Sequence, residues 1–243
     1  MQVRTGDGPM TAKDILAEIK PLGLESYRKV LFNHGVLGPC YGVKIEQLKK
    51  IQKRIKKDYR LALDLYDTGI YDVMYLAGLI ADDAAMTKKD LNRWVAKANL
   101  ALAGCTVPWV AAGSPPARGL ALAWIEAKRE ITAVAGWATL NSLVAITDDA
   151  QLDLAERKKL LQRVQQTIHA APNHVRYYMN GFLIAVGCYV KPLTKLALRI
   201  GEKLGPVAVD MGNTSCLVPA APAYIRKVEA RGTLGKKRKT AKC

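Results

Sequence analysis

The densest chemistry in this chain is cationic. Residues 44–60, KIEQLKKIQKRIKKDYR, carry eight basic side chains against two acids, Glu46 and Asp58. A solvated helix ordinarily intersperses Glu with Lys at four-residue spacing, which offsets repulsion. This stretch does not, so its lysines and arginines are left to meet phosphates. Leu48, Ile51 and Ile55 recur at helical spacing. They predict one basic helix in which Lys49, Lys53, Lys56 and Arg60 share a face and Lys50, Arg54 and Lys57 form the strip beside it. A second basic block closes the chain: residues 226–243 hold eight basic side chains and one acid, with Lys236, Lys237, Arg238, Lys239 and Lys242 near the end.

Other groups offer less chemistry. Asp82-Asp83 and Asp148-Asp149 are paired carboxylates at expected helix ends, where capping and turn roles account for them. His34 beside Gly35 fits a turn hydrogen bond, and Cys105, among Leu102, Ala103 and Val107, fits a buried, protonated thiol. No CxxC pair, metal-ligand spacing or Gly-rich phosphate loop occurs, so neither a cofactor nor a metal is expected. Trp94, Trp109, Trp124 and Trp137 lie 15, 15 and 13 residues apart. Packing suits most of them, while Trp94 is also suited to facing a sugar or a cationic base.

The elements that must position these groups are helical. Leu160, Leu161, Val164 and Ile168 form an apolar stripe, as do Ile70, Val73, Met74 and Ala77. Thr87 followed by Asp90 marks a helix start with a capping carboxylate. Glycines recur in similar settings at Gly78, Gly104, Gly136 and Gly181, with steps of 26, 32 and 45 residues, which suits close helix packing in a solenoid of helix pairs. Residues 207–218 alternate around a Gly-Asn turn and predict a short β-hairpin pairing 207–209 with 216–218. Residues 231–243 lack apolar pattern and read as a disordered basic tail after a repeat domain spanning 10–230.

The whole chain, 243 residues with a formal charge of 37 − 21 = +16, is long enough for a core without disulfides. Its charge points to a polyanion, with nucleic acid ahead of a membrane surface. Five scattered cysteines fit a reducing compartment, and no run of 18 apolar residues occurs. The expectation is a soluble cytoplasmic monomer, nucleoid-associated in a bacterium.

Taken in order, His34-Gly35, the Gly42-Val43 turn, the basic helix, Leu65 to Gly69, the run ending at Asp82, and Trp94 resemble the DNA alkylation repair enzyme family, the HEAT-like-repeat DNA glycosylases. The resemblance implies an all-α solenoid of HEAT-like helix pairs, curved around a basic concave groove that holds duplex DNA, and in active members removal of N3- and N7-alkylated purines. It also implies groove positions at Trp94 and Ala98, and Trp109 and Trp137 are further candidates for the groove by their spacing. Such excision builds oxocarbenium charge that a nearby carboxylate stabilises. The family's Asp, one turn after the groove Trp, corresponds to Ala98, and no Asp, Glu or His occurs from 91 to 125. Glu130-Ile131 stands where the family has a basic pair. Three functions stay open: duplex or damaged-DNA binding, an active alkylpurine glycosylase with a relocated acid, and a helical scaffold for an acidic protein.

Overall fold

The computed structural model describes residues 10–242. Its helices are α1 Ala12–Ile19, α2 Glu25–Asn33, α3 Ile45–Ile55, α4 Tyr59–Asp67, α5 Tyr71–Ile80, α6 Lys88–Lys97 and α7 Leu100–Gly104. They continue as α8 Thr106–Ala112, α9 Ala117–Trp124, α10 Glu130–Ile146, α11 Leu154–Thr167, α12 Asn173–Tyr189, α13 Thr194–Leu204 and α14 Ala221–Ala230. The fold is an all-α solenoid. Helices α5, α8, α10, α12 and α14 pack in succession as a central row, flanked by α4, α6, α9, α11 and α13. Burial follows position: α5 and most of α10 are enclosed on all sides, whereas α3 and α11 bury one stripe.

The recurring glycines explain how the row closes up. A Cβ on Gly136 would lie 2.6 Å from the backbone nitrogen of Ile125, and one on Gly181 would lie 2.8 Å from Asn141 Nδ2. Gly78 is pressed against the Thr106 methyl and Gly104 against the Tyr178 hydroxyl. Each glycine lets a neighbouring element approach nearer than any side chain permits. The capping box at α6 forms as the spacing predicts: Thr87 Oγ1 accepts from Asp90 N–H, and the Asp90 carboxylate accepts from Thr87 N–H. That carboxylate also accepts from the Tyr59 hydroxyl at 2.9 Å.

Two expectations are corrected. No strand occurs among the described residues, so the 207–218 hairpin does not form. Side chains of α12 hold the segment in place of a ladder: Asn173 and Asp210 exchange two 2.8 Å bonds, and just beyond it Asn180 Nδ2 donates to Pro219 O. Nor is the basic end loose. Gly235 N donates to Cys188 O and Arg238 N to Ala145 O, and Ala241 is buried. Residues 233–242 form a strap across the C-terminal ends of α12, α10 and α5.

Candidate nucleic-acid interface

The first basic block is folded back on itself. Leu48 and Ile51 bury the inner stripe of α3, but the helix ends at Ile55 because Lys56 takes φ +64°, a conformation costly for a residue with a Cβ. Asp58 then starts α4, accepting Leu61 N–H at 2.9 Å while its own N–H donates to Ile80 O. The single helix face expected for Lys49, Lys53, Lys56 and Arg60 therefore does not exist. Lys49 and Lys53 stand on α3, Lys56 and Lys57 in the turn, and Arg60 in the first turn of α4. Lys50, Lys53, Lys56 and Arg60 are exposed, and none forms an ion pair with a described residue. Lys49 is half-buried. Arg54 is taken by Glu18 of α1, and Lys57 by Asp82 at 3.4 Å.

The strap carries the second block. Lys237 Nζ meets Val144 O at 2.9 Å and Asp149 at 2.8 Å, and Lys242 Nζ meets Ala81 O and Asp83, both at 2.7 Å. These carbonyls end α10 and α5, where the unsatisfied oxygens and the helix dipole favour a cation. The paired aspartates are thus receptors for the strap, and each follows a helix of the central row. Burial lowers the pKa of Lys242 and raises that of Asp83, and the ion pair between them opposes both shifts. The contact fixes position at a cost in desolvation. Lys236, Arg238 and Lys239 remain exposed.

The two blocks, far apart in sequence, converge at Asp82-Asp83: Lys57 of the α3–α4 turn is bound to the first carboxylate and Lys242 of the strap to the second. The result is one cationic edge running from α3 through this junction and along the strap. Several arginines elsewhere are neutralised: Arg93–Asp67, Arg118–Glu156 and Arg163–Glu126 on the flanking helices, and Arg226 of α14 by Glu202. Other cations, among them Lys88, Lys89, Lys158, Lys159, Lys195 and Lys203 of the flanking helices, are also exposed, so what sets this edge apart is that two basic segments distant in sequence meet there.

The expected groove positions lie in the interior. Trp94 is 1% exposed and stacks on Tyr66, with ring centroids 4.0 Å apart and planes 4° apart. Trp109 meets Tyr75 edge-on, and Trp137 packs on Phe182 with the Arg163 guanidinium over its ring. Ala98 is buried as the C-cap of α6, where Arg129 donates to the carbonyls of Val95 and Ala98. None of the four offers a face to a sugar or a base. Glu130 is engaged as well, accepting from both the backbone N–H and the ring of His174 at the start of α12. Among the described residues no group of three His, Cys, Asp or Glu side chains is placed to hold a metal. No single described helix is long and apolar enough to cross a membrane.

Comparison with known proteins agrees with this architecture. The family profile described as DNA alkylation repair enzyme matches residues 22–206. The chain belongs to this family. It is similar to two proteins described as uncharacterized, Lin0241 of Listeria innocua serovar 6a and Lmo0209 of Listeria monocytogenes serovar 1/2a. Each is 31% identical over 228 residues, covering 91% of this chain and 99% of the relative. A solved structure from a family described as related to the HEAT-like repeat DNA glycosylases, with affinity for branched DNA structures, matches with TM-score 0.88 and 34% identity. That match covers 96% of this chain and 100% of the other.

Within the family's motifs, the structure gives the early signature a structural role that residue spacing alone did not reveal. Asp72, fully buried, accepts from the backbone N–H groups of Tyr41, Gly42 and Val43 at 2.6, 3.3 and 2.8 Å. Gly42 has φ +77°, and a Cβ there would lie 2.5 Å from Leu24 O. The turn before α3 is thereby pinned to α5. The neighbouring Cys40 thiol is pushed up to about 12 by burial and by Asp72, so it stays protonated. The strap contacts had one legible signal: a carboxylate pair after the C-terminus of a helix is disfavoured by the dipole and calls for a cation.

Proposed function

We infer that this protein binds DNA through the cationic edge, prefers branched over linear duplex DNA, and does not excise alkylated purines. The observation that carries the reading is the convergence of the two basic segments at Asp82-Asp83; within those segments Lys50, Lys53, Lys56, Arg60, Lys236, Arg238 and Lys239 are exposed. A polyanion exchanges its counterions for such side chains, a sequence-independent source of affinity. Family membership and the branched-DNA affinity described for the similar solved structure support DNA as that polyanion. The burial of Ala98 and the stacking of Trp94 on Tyr66 support binding without base release.

Titration of a three-way junction and a linear duplex of equal length, at several salt concentrations, tests this reading. The expected result is tighter binding of the junction and affinity falling steeply with salt for both. A salt-independent affinity would favour the scaffold function instead, because the phosphate contribution is inherently salt-dependent.

A further inference from the structure

We propose that the cavity between α12, α14 and the strap takes an unpaired nucleotide of a branched DNA, its base stacked on Tyr224 and its phosphate met by Lys236 and Arg238. The cavity encloses about 360 Å³, with Ile184, Cys188 and Val228 forming an apolar wall and Tyr189 and Tyr224 adding aromatic surface. Tyr224 is 48% exposed, one of the few large apolar side chains left open to solvent. Strap residues 236–238 line the same cavity, and Arg238 lies near enough to the Tyr189 hydroxyl to oppose the rise in its pKa that burial produces. Lys237 is already committed to Asp149 and Val144 O, so the cations available to a ligand are those on either side of it.

The combination selects a nucleotide over a simple anion. A free phosphate would use the lysine and arginine but leave the aromatic and apolar wall wet. A nucleotide fills both halves, since every base has a π-face and stacking tolerates any sequence. A base paired within a duplex has both faces covered by its neighbours, whereas a branch point supplies bases that are unpaired or unstacked. The cavity opens at one end of the cationic edge, so phosphates held along the strap would deliver the branch to it. Cys188 takes no chemical part: burial pushes its thiol up to about 11 and leaves it a protonated piece of the wall.

The inference rests on the DNA-binding reading, and one experiment separates the two. The probe is a three-way junction carrying 2-aminopurine at an unpaired branch-point nucleotide, compared with a fully paired linear duplex. With the wild-type chain, binding should lower the 2-aminopurine fluorescence as the base stacks. Tyr224→Ala should abolish that change and weaken junction binding by about 5- to 150-fold, the range for losing one base–aromatic stack, with duplex affinity unaltered. Tyr224→Phe should preserve both signals. Lys236→Ala, on the exposed strap, should weaken junction binding while the residual complex still quenches. Junction bound with unchanged fluorescence, or equal loss of junction and duplex affinity in Tyr224→Ala, would overturn the nucleotide site and leave DNA binding standing. No binding of either DNA would overturn both.

Discussion

Lys53 and Arg54 are adjacent in sequence and equivalent in charge, yet the fold gives them different work. Arg54 is held by Glu18, while Lys53 is exposed and makes no ion pair with a described residue. Removing one true phosphate contact lowers the slope of log affinity against log salt by about 0.9. Lys53→Ala should show that reduction and Arg54→Ala should leave the slope near its original value, measured on the same junction across a salt series. A slope that responds to Arg54→Ala and not to Lys53→Ala would place the DNA elsewhere. Asp72 acts on stability instead. Its replacement by alanine would strand three backbone donors that now share a buried carboxylate, at about 3 kcal/mol or more. For a chain of this size that is a fall in Tm of about 6–12 °C. A thermal melt of Asp72→Ala overlapping that of the parent would show that water or another group replaces the carboxylate without cost.

At the scale of elements, local patterns in the sequence were readable and distant ones were not. The capping box at Thr87 and Asp90, the stripe of α11 and the close approach at the four glycines all depend on residues within a few turns of one another or on a single residue type. The break at Lys56 was hidden because basic residues continue through it at helical spacing, although Asp58 carries the capping signal that opens α4. The strap was hidden more deeply. Its partners are carbonyl ends of helices 93 and 161 residues away, and nothing in its own hydrophobic pattern records them. In a solenoid each repeat contacts mainly its neighbours, whereas this strap joins the ends of α12, α10 and α5 directly. Deleting residues 236–243 removes the Arg238 backbone bond and the Lys237 and Lys242 ties, a loss of about 3 kcal/mol at about 1 kcal/mol each. The truncated chain should melt about 6–12 °C lower, with a broader transition as the ends of α12, α10 and α5 lose their common tie. An equally sharp melt at the original temperature would mean that the strap follows the fold without supporting it.

Across the whole molecule, the contrast is between a basic surface and an interior that encloses Trp94, Ala98, Trp109 and Trp137, the positions expected to line a groove. The net charge is +16, and two of its densest basic segments meet on one edge. Excision of a methylated purine requires more than that charge: a carboxylate must stand beside the sugar, and a group of this kind is worth about 10²–10³ in rate. Here the corresponding Ala98 closes α6 in the interior, its carbonyl taken by Arg129, and the preceding Trp94 lies flat on Tyr66. The wild-type chain should therefore release no N7-methylguanine above a no-protein control, even on DNA that it binds tightly. Ala98→Asp should not restore release either. The new carboxylate would sit at the negative end of the α6 dipole beside the Arg129 guanidinium, and no aromatic face would be turned toward a bound sugar. Chromatographic assay of released base from methylated duplex checks both proteins. Release by Ala98→Asp that greatly exceeds the wild-type level would show that a single side chain separates this chain from an active glycosylase, and that the buried setting of Trp94 and Ala98 opens when DNA is bound.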